Sequence, residues 1–245
     1  MRHTGLIIIL IFVIGLNGKD AENKSVVQRL ISNTQDQFEK ARDYQVTMTI
    51  ELKVPGFRMP RKRYTVFFKQ PDKLKIKSRG FGMLPKTGLF TSPRDNFDNL
   101  KNMRLIKASK EEGVAYIKGD VIIDSLKLKM PNDYARLGFR PSVTVKIDTV
   151  NWVINNIVTE LDTLKLVEIT NNYKSFNGQY IMPAESKVQY YVKDAKLSSW
   201  LKNDITSIVG QNPISQDSDM VEGKISITYT DYIINEGIKN SLFKD

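Results

Sequence analysis

The sequence predicts a mainly β protein: a half-open antiparallel β-barrel with an N-terminal helix and a short helical or loop lid. Three observations predict it. Tyr44, Val46, Met48, Ile50 and Leu52 alternate with Gln45, Thr47, Thr49, Glu51 and Lys53, which puts one face of a strand in oil and the other in water. The same period recurs along the chain, in roughly eight to eleven short strands mostly adjacent in sequence, the pattern of an antiparallel meander that curls on itself. A single helical stripe precedes the first strand.

The N-terminus carries Arg2 and His3, an apolar run from Leu6 to Ile14, and a small or polar end at Gly15-Leu16-Asn17-Gly18. This is the layout of a secretory signal peptide over residues 1–18, too short to span a bilayer comfortably. An uncleaved N-terminal anchor is the competing reading. The expected domain is therefore a single unit over 19–245. Processing removes Arg2 from the 37 basic residues, leaving 36 against 27 acidic ones, together with His3, the one histidine.

Residues 24–43 form the predicted amphipathic helix. Ser25 with Gln28 resembles a capping box. Val27, Leu30, Ile31, Thr34, Phe38 and Ala41 fall on one stripe, while Gln28, Asp36, Glu39 and Lys40 face water. The first strand ends at Val54-Pro55-Gly56-Phe57, where Pro lacks an N–H and Gly tolerates a turn. Tyr64, Val66 and Phe68 then alternate with polar residues, Gln70-Pro71-Asp72 turns the chain, and Leu74 and Ile76 alternate with Lys73, Lys75, Lys77 and Arg79.

Gly80 to Phe90 is apolar without any period. Phe81, Met83, Leu84, Leu89 and Phe90 either close over a cavity as a lid or plug the core as a loop. A short helix is expected over 93–103, a hairpin around Lys110–Gly113, and strand composition from Val121 to Leu128. Strands follow from Val143 to Ile147 and Trp152 to Val158. Asn171 to Gly178 reads as turn, Lys187 to Lys193 as strand, 194–223 as a long insertion, and Ile225 to Tyr229 as the last strand.

The chain has no cysteine and carries a net charge of +10. Disulfides, thiolate catalysis and cysteine metal sites are excluded. Without His3 the mature chain also lacks any Ser-His-Asp system or His-ligated zinc. The carboxylate pair Glu111-Glu112 fits an exposed hairpin turn, and the group Asp217, Asp219 and Glu222 lacks the full ligand ladder of a calcium loop. No metal, cofactor or enzymatic activity is expected. The basic strand at Lys73–Arg79 lacks interleaved aromatics, which speaks against nucleic acid. Binding remains. Val46, Met48, Ile50, Val66, Phe68, Leu74 and Ile76 share one parity and are expected to line a concave apolar surface. A core filled by its own side chains is the alternative.

The order of these segments, with Phe67-Phe68-Lys69-Gln70-Pro71, Val145–Thr149, Asn172-Tyr173 through Gly178 to Pro183, and Tyr232–Ile238 followed by Ser241-Leu242-Phe243, resembles the LolA-like family of outer-membrane lipoprotein carriers. The resemblance implies a half-open barrel that shields the acyl chains of lipoproteins or other lipids. It implies a periplasmic location in a Gram-negative-type bacterium, an inner-membrane donor complex, an outer-membrane acceptor, and a monomer. The family carries an Arg before the Pro of the strand-turn-strand motif; here that transfer position is Gln70. A non-enzymatic envelope interaction or sensor module on the same fold is the second reading.

Overall fold

The computed structural model describes residues 8–54, 57–58, 60–78, 92–122, 140–192 and 221–244. Helix α1 (Ile8–Glu39) leads into strands β1 (Asp43–Val54), β2 (Phe57–Arg58), β3 (Lys62–Lys69) and β4 (Lys73–Ser78). Then come the short helix α2 (Asp95–Asp98), β5 (Leu100–Ser109), β6 (Val114–Val121), β7 (Pro141–Asp148), β8 (Val153–Leu161), β9 (Leu164–Phe176), β10 (Tyr180–Val192) and β11 (Val221–Ile234). A 3-10 turn spans Asn240–Phe243.

All pairings are antiparallel, in the order β4-β3-β1-β11-β10-β9-β8-β7-β6-β5, with β2 attached to β1. The sheet is not closed: β4 and β5 are its two edges among the described residues. Each pairing is between strands close in sequence, β1 and β3 across the short β2, except β1–β11, where the last strand returns beside the first and joins the two ends of the chain.

Helix α1 lies across one face, the inner face. Val27, Leu30 and Ile31 pack with Phe97, Ile117, Val145, Ile147 and Ile154. Phe38 and Ala41 pack with a second cluster built on β1, β3, β10 and β11. The predicted stripe is thus the buried stripe, and burying each large aliphatic side chain contributes about 1.5–3 kcal/mol. The helix is longer than its pattern. It is continuous from Ile8 and ends at Glu39, so Ser25 stands inside it and caps nothing. Among the described residues no helix is long and apolar enough to cross a membrane.

Other boundaries also move. The helix expected over 93–103 shrinks to four residues, and Leu100 begins β5. Register shifts at Lys101/Arg104 and Leu105/Lys107 break the alternation of β5, which is why the sequence shows only its second half, Leu105–Ala108, as the first strand of the hairpin. Residues 171–176 are strand rather than turn. The turn is the three-residue loop Asn177-Gly178-Gln179, whose first two residues sit at positive φ (51° and 69°), a conformation that Asn and Gly tolerate best. The last strand begins at Val221, inside the expected insertion. The rest of that insertion, Asp217 and Asp219 with it, and residues 123–128 lie outside the described residues.

One side chain ties the ends together. Asn235 Oδ1 accepts from the backbone N–H of Arg42 (2.7 Å) and of Asp43 (3.2 Å). Its Nδ2 donates to the Lys40 carbonyl (3.0 Å) and the Tyr180 hydroxyl (2.9 Å). Asn235 sits at φ 61°, a left-handed conformation that Asn tolerates better than most residues. Helix end, first strand and last strand therefore meet at a single amide.

Candidate functional site

The residues expected to line the apolar surface do share a face. Val46 stands opposite Val66, and Val66 opposite Ile76; Tyr44 stands opposite Phe68, and Phe68 opposite Leu74. Their burial differs. Val46, Met48, Ile50, Val66 and Phe68 are 0–3% exposed within a packed cluster, whereas Leu74 on the edge strand is 44% exposed and Ile76 is half-buried. Phe68 stacks on Tyr44 at 5.1 Å and meets Phe38 of α1 at 5.6 Å. This wall is filled by its own side chains and by the end of the helix. The lid residues Phe81, Met83, Leu84, Leu89 and Phe90 lie outside the described residues.

Gln70 is engaged in holding structure. Its backbone N–H donates to the Arg42 carbonyl (2.8 Å) and its Nε2 to the Ala41 carbonyl (3.3 Å). It links the β3–β4 turn to the junction of α1 with β1. Of the carboxylates, Glu111 and Glu112 are exposed on the β5–β6 turn, with Glu112 3.5 Å from Lys107.

Unfilled space lies elsewhere, where the two clusters meet. A cavity of about 110 Å³ sits between the last turns of α1 and strands β8 to β11. Thr34, Gln37 and Phe38 form its roof; Ile154, Ile157, Ile169 and Met182 supply apolar floor. None of its lining side chains is charged. A larger and more open cleft of about 550 Å³ beside α1 is lined by charged residues, Arg29, Arg94 and Asp98, as well as by Ile31, Phe97 and Met103.

One side of the cavity is a neutral hydrogen-bonded network. Asn171 Nδ2 (3.0 Å) and the Tyr173 hydroxyl (3.1 Å) both donate to the Ile154 carbonyl. Ser186 Oγ donates to Asn171 Oδ1 at 2.7 Å. The Tyr232 hydroxyl donates to the Pro183 carbonyl at 2.8 Å, and Thr34 turns its hydroxyl back to the Ile31 carbonyl at 2.8 Å. These polar groups satisfy one another, so the space does not demand water. Burial pushes the Tyr229 hydroxyl up to about 12, raises Tyr44 and Tyr173 further still, and holds Tyr232 well above its ordinary value. All four remain protonated and neutral at physiological pH. The arrangement suits an uncharged, largely apolar guest and opposes an ion, whose desolvation nothing here offsets.

Sequence reasoning missed this set. Val167, Ile169, Asn171 and Tyr173 share a phase on β9, and Ser186, Val188 and Tyr190 share one on β10. Polar residues falling in phase with buried apolar ones were the available sign. They were hidden because 171–178 reads as turn.

No protein-family model matches the chain, and no curated protein matches it. Solved structures do. A LolA superfamily protein from Nitrosomonas europaea is 10% identical, covering 89% of this chain and 97% of its own, with a TM-score of 0.48. A DUF1329 family protein from Desulfovibrio piger is 7% identical over the same shares, also at 0.48. A domain from Vibrio parahaemolyticus, described as outer membrane lipoprotein-sorting, is 12% identical over 87% of this chain and 95% of its own, at 0.42. Two of the three bear the description that the sequence resembles. At these scores the likeness carries no argument about function.

Proposed function

We propose that the chain is a binding protein, not an enzyme, that shields acyl chains of lipids or lipoproteins between α1 and the inner face of its open sheet. The observation that carries this reading is the uncharged cavity at the seam between the two packed clusters. Its volume, about 110 Å³, is near that of a dry apolar cavity that takes benzene, about 150 Å³. It seats a segment of an acyl chain. A whole chain requires the seam to widen, and α1 is the element that can move, because it packs by side chains while the strands are joined by backbone ladders. Each methylene transferred there from water gains about 0.8 kcal/mol. Export by residues 1–18 and work in the periplasm of a Gram-negative-type bacterium, between a donor and an acceptor membrane, belong to the same proposal.

Native mass spectrometry of the gently purified protein tests it. The expected result is an adduct with the mass of a lipid or acylated peptide that dissociates on activation. A bare chain that also binds no fluorescent acyl probe rules the reading out. A second reading, an envelope interaction module with a filled core, is favoured by the close packing of Val46, Met48, Ile50, Val66 and Phe68. That second outcome of the same experiment would establish it.

A further inference from the structure

The outer face of the sheet is not uniform in charge. Across most of it, basic and acidic residues pair: Arg61 and Lys53 with Glu51, Lys118 with Glu160, Lys165 with Glu168, Lys187 with Glu185. The β3–β4 edge differs. Lys69 stands directly opposite Lys73, an arrangement that repels. Their ammonium groups meet neutral oxygens of the C-terminal tail. Lys69 Nζ donates to the Ile238 carbonyl (2.6 Å), Lys73 Nζ to Asn240 Oδ1 (3.2 Å) and Lys75 Nζ to the Lys244 carbonyl (3.3 Å). The tail thus folded onto the edge brings two more cations, Lys239 and Lys244. Among the described residues, no ion pair involves Arg63, Lys69, Lys73 or Lys77. Phe67 shares this face, with Lys77 5.2 Å over its ring, while Leu74, 44% exposed, belongs to the inner face of the same edge strand.

We propose that the β3–β4 edge, with the tail strapped across it, is a docking surface for an anionic lipid bilayer. The patch is built from lysines, with Arg63 the exception. Lysine is a compact, hydrated point charge suited to a diffuse field, whereas recognition of individual carboxylates on a protein uses the guanidinium fork. A bilayer offers many anions without fixed geometry, and each nearby lysine or arginine strengthens binding to it several-fold. The edge is also a rim of the open sheet, so docking there would bring the sheet's free border to the lipid. The inference does not depend on what the cavity holds.

Vesicle co-sedimentation of the full chain tests it, comparing phosphatidylcholine alone with phosphatidylcholine containing phosphatidylglycerol. The expected wild-type result is a preference for the anionic vesicles that weakens as salt shortens the Debye length. Arg63→Glu/Lys73→Glu/Lys77→Glu should reduce that preference at least about tenfold with an unchanged circular dichroism spectrum. Lys101→Glu/Arg104→Glu/Lys107→Glu, on the opposite edge strand, should keep it. Equal binding to both vesicle types overturns the proposal, as does an equal loss in the two triple variants. Because the N-terminal run is common to every variant, its own affinity for lipid cancels in these ratios.

Discussion

The wall formed by β1, β3 and the start of β11 and the seam over β8 to β10 are both inner-face surfaces, yet they are built from different residues. The wall is aliphatic and aromatic, its side chains interlock across registered strands, and nothing in it is left to fill. The seam mixes isoleucines with Asn171, Ser186, Tyr173 and Tyr229, and keeps about 110 Å³ open. Side chains that must hydrogen-bond cannot also repack freely, so a polar network under a helix preserves space that an all-aliphatic layer would close. Rigid wall and unfilled seam in one sheet are what a protein needs to stay folded with or without a guest.

Substitutions can break this contrast, and the largest effect should come from the wall. Met48→Ala removes a side chain with 0% exposure and should cost about 2–5 kcal/mol in denaturant unfolding. A loss below about 1 kcal/mol would mean that the wall relaxes as readily as the seam. Next comes the joint that holds the helix end over the sheet. Asn235→Ala deletes four hydrogen bonds and puts alanine at positive φ, for an expected cost of about 2–3 kcal/mol. Thermal unfolding that matched the wild type would show that α1 is held by packing alone.

Alkaline titration probes the seam directly. A tyrosine whose folded pKa is raised keeps its proton longer in the native state than in the unfolded one. Its stabilising contribution is therefore complete below the ordinary value of 10.0 and is lost as pH climbs toward about 12, as for Tyr229. Stability should fall steeply above that lower value, and Tyr229→Phe should flatten the fall. A native protein whose ten tyrosines all ionise near the ordinary value would contradict the burial of the seam tyrosines. The smallest effect is expected at the rim. Leu74→Ala, at an exposed edge position, should change stability by about 0.5 kcal/mol or less.

What the sequence made legible follows from where the period is clean. Alternation in Tyr44–Leu52 and Tyr64–Phe68 located β1 and β3, their shared face and their burial, because a strand with one buried face has no other register. The stripe from Val27 to Ala41 located the helix face in the same way. Leu74 and Ile76 had the right parity, but parity does not report that β4 is an edge strand and so leaves Leu74 half in water. The seam was illegible for another reason. It assembles from the last turns of α1 and mostly from strands more than 100 residues later, and the polar residues that keep it open are the ones that interrupt the alternation. Gln70 was read as a transfer position from its place before Pro71, while its bonds to Ala41 and Arg42 appear only once the helix end is folded beside it.

The central claim is that the seam, and not the wall, takes the acyl chain. Titration of a fluorescent acyl probe into the wild type, Ile157→Phe and Leu74→Ala tests it most directly. Ile157 lines the cavity, and the larger ring fills it. The account predicts that Ile157→Phe binds the probe at least about tenfold more weakly while unfolding no earlier than the wild type, and that Leu74→Ala binds normally. Unchanged affinity in Ile157→Phe, with affinity lost instead in Leu74→Ala, would place the guest outside the seam and contradict the account.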